Sequence, residues 1–272
     1  MSYKPLAHAV SHCLPRDTMY NDPPVVEAAR SFDVEGLRNL IEAGADLDAR
    51  SDDFLSQSAL SFLCAAQLAE IGVMVDDDPV KGPARATMIK MLLDAGASTT
   101  VLDRHGDTPL ITAVTNGLHP HIVAALIAAG ADVNATTTQP CQETALHAAA
   151  FHGDRNGHIP MLLAAGATVD APFRFKSGEE KTPLELCLWY DTYDPKLWRR
   201  AYPHLLRAGA RIPHIRGKEI PYIQKVLEAG GFVPYERAHR ASLAAMFVPK
   251  FPQLPEDIIP RIVEFWGHIG FY

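Results

Sequence analysis

The amino-acid sequence predicts an all-α solenoid of helix pairs with a C-terminal helical segment, and three observations predict it. The tripeptide Ala-Gly-Ala occurs five times, centred on Gly44, Gly96, Gly130, Gly166 and Gly209, each time at the end of an apolar run such as "VAALIAAGAD". A residue that can accept a backbone hydrogen bond precedes each run: Asp22, Ser58, Thr108, Thr144 and Thr182. From that residue to the glycine is 22 positions in three of the five units.

Each glycine reads as the residue just past a helix C-terminus, where left-handed backbone costs glycine nothing sterically. Each Asp, Ser or Thr reads as an N-cap. The prolines after Thr108 and Thr182 read as first helical residues, because that N–H has no helical partner to lose. Twenty-two residues hold two short helices and a tight turn. Neither helix can bury its apolar face alone, so neighbouring pairs must supply the core. Two units are longer: Ser58 to Gly96 spans 38 residues and Thr182 to Gly209 spans 27. Their inserts, near 76–83 and at 190–198, are rich in proline and aspartate and predict surface loops. After Gly209, "IPYIQKVLEAGG" predicts a shortened sixth repeat. The expected domain plan is an N-terminal extension over 1–20, five repeats over 21–217, a partial sixth over 218–240 and a C-terminal segment over 241–272.

Composition narrows the function classes. A net charge of −7 and a pI near 5.9 argue against a nucleic-acid partner, which lysine and arginine would have to hold. No apolar run is long enough to span a membrane and the N-terminus lacks the apolar core of a secretory leader, so no membrane association is expected. Cys13, Cys64, Cys141 and Cys187 are far apart and form no CxxC. That usage fits a reducing compartment, the cytoplasm first and the nucleus second. A monomer is expected.

Chemistry has little room. His119 and His121 flank Pro120 with no cysteine or carboxylate at ligand spacing, and His147 and His152 are five apart and point to different helix faces. Asp76–Asp78 lacks the spaced oxygen ligands of a calcium loop. Nucleophile-elbow, zinc-protease, phosphate-loop and dinucleotide motifs are absent from the sequence. The expectation is therefore no enzyme, no cofactor and no metal.

The stretch "DRHGDTPLITAVTNGLHPHIVAALIAAGADVNA" closely resembles an ankyrin repeat, and "ETALHAAAFHGDRNGHIPMLLAAGATVDA" resembles a second, including the tetrapeptide that ends at His147. The resemblance covers roughly residues 21–231. It implies a stack without chemistry of its own that binds a protein partner on its concave face, along the first helices and hairpin tips. It also implies that His147 hydrogen-bonds the turn. On the tips, Phe54, Arg104, His105, Phe173, Arg174 and Phe175 are the candidate contacts, because Phe or Arg there has no core to fill and suits a binding surface. The first helices add Phe151, His152, Trp189 and Tyr190, which equally suit packing between repeats. The setting of Asn134 resembles one in which ankyrin proteins are hydroxylated on asparagine; as plain structure, Asn134 is a turn residue.

The C-terminal "QLPEDIIPRIVEFWGHIGFY" predicts a helix capped by Asp257, with Pro260 in its first turn. Ile258, Ile262 and Phe265 fall on one face; Ile259, Val263 and Trp266 fall on the adjacent face. Six large apolar side chains at about 1.5–3 kcal/mol each give a driving force on the order of 10 kcal/mol to bury this helix. It is either a cap on the stack, with the Ile259 stripe packed and the Ile262 stripe more exposed, or a docking arm. Leu254-Pro255 followed by Ile258, Ile262 and Phe265 resembles the opening of an F-box, and more closely the truncated F-box-like PRANC segment found after ankyrin repeats. That resemblance implies docking on the adaptor Skp1 and a cullin, as the substrate receptor of a ubiquitin ligase.

Overall fold

The computed structural model describes residues 22–53, 55–65, 67–68, 73–74, 81–138, 141–175, 177–191, 198–213, 220–251, 253, 255, 258–259 and 261–263. Phe54, Asp76–Asp78, Leu254, Asp257, Pro260, Phe265 and Trp266 lie outside them, as do 192–197 of the second insert. The chain falls into two compact units, Met1–Asp132 and Val133–Tyr272.

The first unit contains α1 (Pro24–Ser31), α2 (Val34–Glu42), α3 (Ala59–Ala65), a two-residue antiparallel pair β1 (Gln67–Leu68) and β2 (Val73–Met74), α4 (Lys81–Asp94), α5 (Pro109–Thr115) and α6 (Pro120–Ala128). The first helices α1, α3 and α5 pack side by side in sequence order, and the second helices α2, α4 and α6 do the same. The second unit contains α7 (Ala145–Phe151), α8 (His158–Ala164), the pair β3 (Phe173–Arg174) and β4 (Glu180–Lys181), α9 (Pro183–Tyr190), α10 (Ala201–Arg207), α11 (Pro221–Glu228) and α12 (Phe232–Phe247), which runs into a 3-10 turn at Val248–Lys250. Here α7 packs on α9, α8 on α10, and α12 on both α10 and α11.

The core repeats with the chain. Leu92, Leu126, Leu162 and Leu205, each four residues before its glycine, are fully buried. So are Leu37, Ile89, Val123, Ile159 and Tyr202, seven before. Burial of each aliphatic side chain stabilises the stack by about 1.5–3 kcal/mol. Every second helix then ends in the same way. At the first repeat the Gly44 N–H donates to Ile41 O and the Ala45 N–H to Leu40 O; the pair recurs at Gly96, Gly130, Gly166 and Gly209, and α11 ends likewise at Gly230. This is the Schellman arrangement, and φ is between +74° and +91° at all six glycines.

The starts are capped as expected at four of five positions. The Thr108 hydroxyl accepts from the Ile111 N–H and Ser58 Oγ from the Ser61 N–H. Thr144 and Thr182 form full capping boxes with His147 and Glu185. Asp22 is the exception. Helix α1 begins at Pro24 with Pro23 as N-cap, so the Asp22 carboxylate lies one residue too early and makes other bonds, to Arg30 and to the Asp52 N–H. Residues 81–83, read as part of a loop, are the first turn of α4; Pro83 fits there because a helix start needs no N–H. Helix α12 has sixteen residues and runs through position 240, where a boundary was expected.

A further periodic bond was not anticipated. Four residues after a glycine, a polar side chain accepts from a backbone N–H two residues after the next glycine: Asp48 from Ser98 (2.8 Å), Asn134 from Thr168 (2.7 Å) and Asp170 from Arg211 (3.1 Å). Thr100 occupies the fourth such position, and its hydroxyl lies 2.9 Å from Ser98 Oγ instead.

At the C-terminal end, 258–259 and 261–263 are helical. Ile259 and Val263 are buried, Ile258 is half-buried and Ile262 is exposed at 36%; Pro255 is exposed.

Candidate interaction surface

The surface that the sequence singled out is built in the second unit around His147. Its ring is fully buried. Nδ1 accepts the Thr144 N–H at 3.2 Å, so the remaining proton sits on Nε2, which donates to Ala171 O at 2.8 Å. One neutral imidazole thus caps α7 and holds the strand leading into the β3–β4 hairpin. Burial pushes its pKa down to about 4, outweighing the bond to the Ala171 carbonyl. At the other end of α7, Asp154 takes a left-handed backbone (φ 52°) and accepts the Ile159 N–H at 2.9 Å, starting α8. Its carboxyl is buried, and that raises its pKa to about 7 against the lowering effect of the backbone N–H bonds.

Phe173 stands 5.6 Å from the His147 ring and 4.8 Å, edge on, from Phe175. Both phenylalanines are half-buried, so they hold the hairpin together more than they project from it. Arg174 is exposed and chelates Glu180 across the pair, at 2.6 and 3.1 Å. The C-terminal ends of α7 and α9 carry an aromatic cluster. Phe151 meets Tyr190 edge on at 4.9 Å and His152 at 5.3 Å; Tyr190 stacks on Trp198 at 5.5 Å; the Trp198 indole N–H donates to Phe151 O at 3.2 Å. Burial, with Arg155 nearby, lowers the His152 pKa. Beside the cluster Trp189 is 47% exposed, with Lys181 Nζ 4.5 Å above its ring.

The structure therefore brings Phe151, His152, Tyr190 and, on the hairpin, Phe173, Arg174 and Phe175 into two adjoining sets in one unit. Arg104 and His105 belong to the other unit, exposed on the tip before α5, where the Arg104 N–H donates to Leu55 O and the His105 N–H to Asp103. Trp198 is the contact that sequence reasoning did not single out. It closed a proline-containing insert, and nothing in the string shows that its indole returns to Phe151. Asn134 is engaged at both ends of its amide, donating to Gly166 O at 3.1 Å as well as accepting from Thr168.

Residues 81–173 match the family model of ankyrin repeats, in three copies. The match takes in α4 to α8 and the start of the hairpin, the stretch where caps and glycines are most regular. The ankyrin repeats agree with an all-α repeat solenoid and support a protein–protein interaction module. No curated protein matches the chain. Among the described residues no helix is long and apolar enough to cross a membrane, and no three His, Cys, Asp or Glu gather to hold a metal ion. His119 and His121 form a pair at the start of α6, with their Nδ1 atoms 2.7 Å apart.

Proposed function

We propose that the chain is a non-catalytic interaction module whose specificity lies on first-helix ends and hairpin tips, above all on the second unit's aromatic cluster and the β3–β4 hairpin. The observation that carries this reading is Trp189, a large aromatic left half in solvent beside a packed platform of Phe151, Tyr190 and Trp198. Tryptophan and arginine are enriched among the side chains that dominate protein interfaces, and here Arg174 is already held in place by Glu180. A photo-crosslinking residue placed at 189 or 174 in cells should trap a common protein, and one placed at exposed Ala164 on α8 should not. Equal trapping at 164 would overturn the reading. In this reading the partner is a protein, the chain acts as a monomer, and five repeats over 21–217 are followed by a partial sixth that starts at 218 and has no boundary at 240, since α12 runs through it.

A second reading is a ubiquitin-ligase receptor that docks Skp1 and a cullin through Pro255, Ile258 and Ile262. What supports it is the division of burial: Ile259 and Val263 are covered while Ile262 is exposed. Ile262→Asp should then abolish recovery of Skp1 and leave thermal melting unchanged. A clear fall in melting would instead make the segment a cap.

A further inference from the structure

The turn between α7 and α8 carries an acid where the turn between α5 and α6 carries a core leucine. The two turns run in register: the Gly117 and Leu118 N–H groups donate to Val114 O and Ala113 O, and the Gly153 and Asp154 N–H groups to Ala150 O and Ala149 O. Leu118 is fully buried, and Asp154 is buried at 8% exposure. Helix α6 starts two residues after Leu118, at Pro120, and α8 starts four residues after Asp154, at His158. Asp154 also holds φ at 52°, which costs a residue with a side chain; Leu118 has no positive φ.

A leucine in this place asks nothing of its surroundings. A carboxylate cut off from water needs a cation, and among the described residues none pairs with Asp154; the Ile159 N–H, at 2.9 Å, and the His158 N–H hold it. Those bonds favour the charged form, burial opposes it, and burial wins. The groups around it supply no counter-charge. On its own turn Arg155 is exposed, and burial with Arg155 nearby lowers the His152 pKa; His158 at the start of α8 is buried. From the end of α9 come Cys187, fully buried with its thiol 3.6 Å from Ala150 O, and Asp191, which already engages Arg199 at 3.4 Å. Burial, with the aspartates adding to it, pushes the Cys187 pKa up, and burial with Asp191 does the same for Tyr202 of α10. We propose that Asp154 is a proton-controlled latch on this turn: neutral, it stays folded in the place of the leucine, and ionised, it swings out to water and loosens the aromatic cluster joined to it. The joint is direct. Phe151 and His152 lead into the turn, the Trp198 indole N–H donates to Phe151 O, and Asp191 follows Tyr190. With the folded pKa raised to about 7, the latch is closed on the acid side and opens as pH rises through that value. His147 and His152, with lowered pKa values, act in the opposite direction. Tighter partner binding in a mildly acidic setting is a consequence that rests on the interaction role proposed above; the latch itself does not.

Hydrogen exchange of the full chain at pH 6 and pH 8, corrected for the intrinsic rate at each pH, tests the latch. Protection across 152–159 should fall about ten-fold from pH 6 to pH 8, while 110–114 in α5 keeps its protection. In Asp154→Asn, and in Asp154→Leu, which restores the residue type of the preceding repeat, the two pH values should give the same protection. The Trp198 indole NMR signal, assigned with Trp198→Phe, should shift with a midpoint near pH 7 in the parent and stay still in Asp154→Asn. Flat protection in the parent overturns the proposal, and so does a pH response that survives in Asp154→Asn. An indole signal that stays still while 152–159 opens also overturns it, because the turn would then be detached from the cluster. No partner enters either measurement, so failure of the crosslink at 189 and failure of the latch are told apart.

Discussion

Helices α7 and α12 stand at opposite extremes of one unit. Helix α7 has seven residues, six of them buried, with alanines at 148–150 that let α9 lie close against it. Helix α12 has sixteen residues and a single buried one. A seven-residue helix is too short to persist alone in water, because nucleation costs more than so few hydrogen bonds return. It exists through its neighbours and its capping box. The longer helix draws much more of its order from its own ladder and needs the stack less. The difference teaches where the chain's stability is shared and where it is local, and it can be pressed experimentally.

The largest effect is expected where sharing is greatest. Leu146→Ala, at a fully buried position of α7, should cost about 2–5 kcal/mol and lower the urea midpoint of the second unit, whereas Leu243→Ala on the half-buried face of α12 should cost well under half of that. Equal losses at the two sites would erase the contrast.

The second effect is one of pH. His147 has a folded pKa near 4 against an ordinary 6.5, so its contribution is complete above pH 6.5 and is lost as pH falls toward 4, on the order of 3 kcal/mol in all. Asp154 has a folded pKa near 7 against an ordinary 3.8, so its contribution is complete below pH 3.8 and is lost as pH rises through 7. The two groups act on the same unit in opposite directions over one window. Asp154→Asn keeps an oxygen for the Ile159 N–H and removes the second titration. Stability of the variant should fall by about 2–3 kcal/mol between pH 6.5 and 4.5, with a smaller slope in the parent. Parallel pH profiles for the two would refute the assignment.

A smaller effect belongs to the polar bonds between successive repeats. Asn134→Ala should cost about 1 kcal/mol, and Thr100→Asp, which restores the residue type found at 48 and 170, should gain about 0.5–1 kcal/mol. Melting temperatures of the two variants should move in opposite directions. The smallest effect is on the exposed face of α12: Met246→Ala should change stability by less than about 0.5 kcal/mol, consistent with a face that the folded chain leaves uncovered.

Much of this architecture was legible in the sequence because it is set by single residues with one physical use. Glycine after a helix, and threonine before one, have few alternative roles, so Gly130 and Thr108 could be placed from spacing alone. The alternation of buried Ile259 and Val263 with exposed Ile262 followed from helical period. Side chains that act at a distance were less legible. Asp48, Asn134 and Asp170 share a position relative to the glycines, but a polar residue in a turn reads the same whether it faces water or bonds the next repeat. Asp22 was taken for a cap because its type fits, although two prolines after it shift the helix start by a residue. Phe173 and Phe175 read as outward contacts, yet in a hairpin they find each other.

The closing motif at each glycine also bears on how such a chain can vary. The 38-residue and 27-residue units end in the same two hydrogen bonds as the 22-residue ones. Those bonds involve only the last turn of a helix and the second and third residues after it, so material inserted earlier leaves them intact. Length between the two helices of a repeat is therefore open to change without renegotiating the joint that follows. A lineage carrying this fold can alter what one repeat displays, by insertion or deletion, while every other repeat keeps its place.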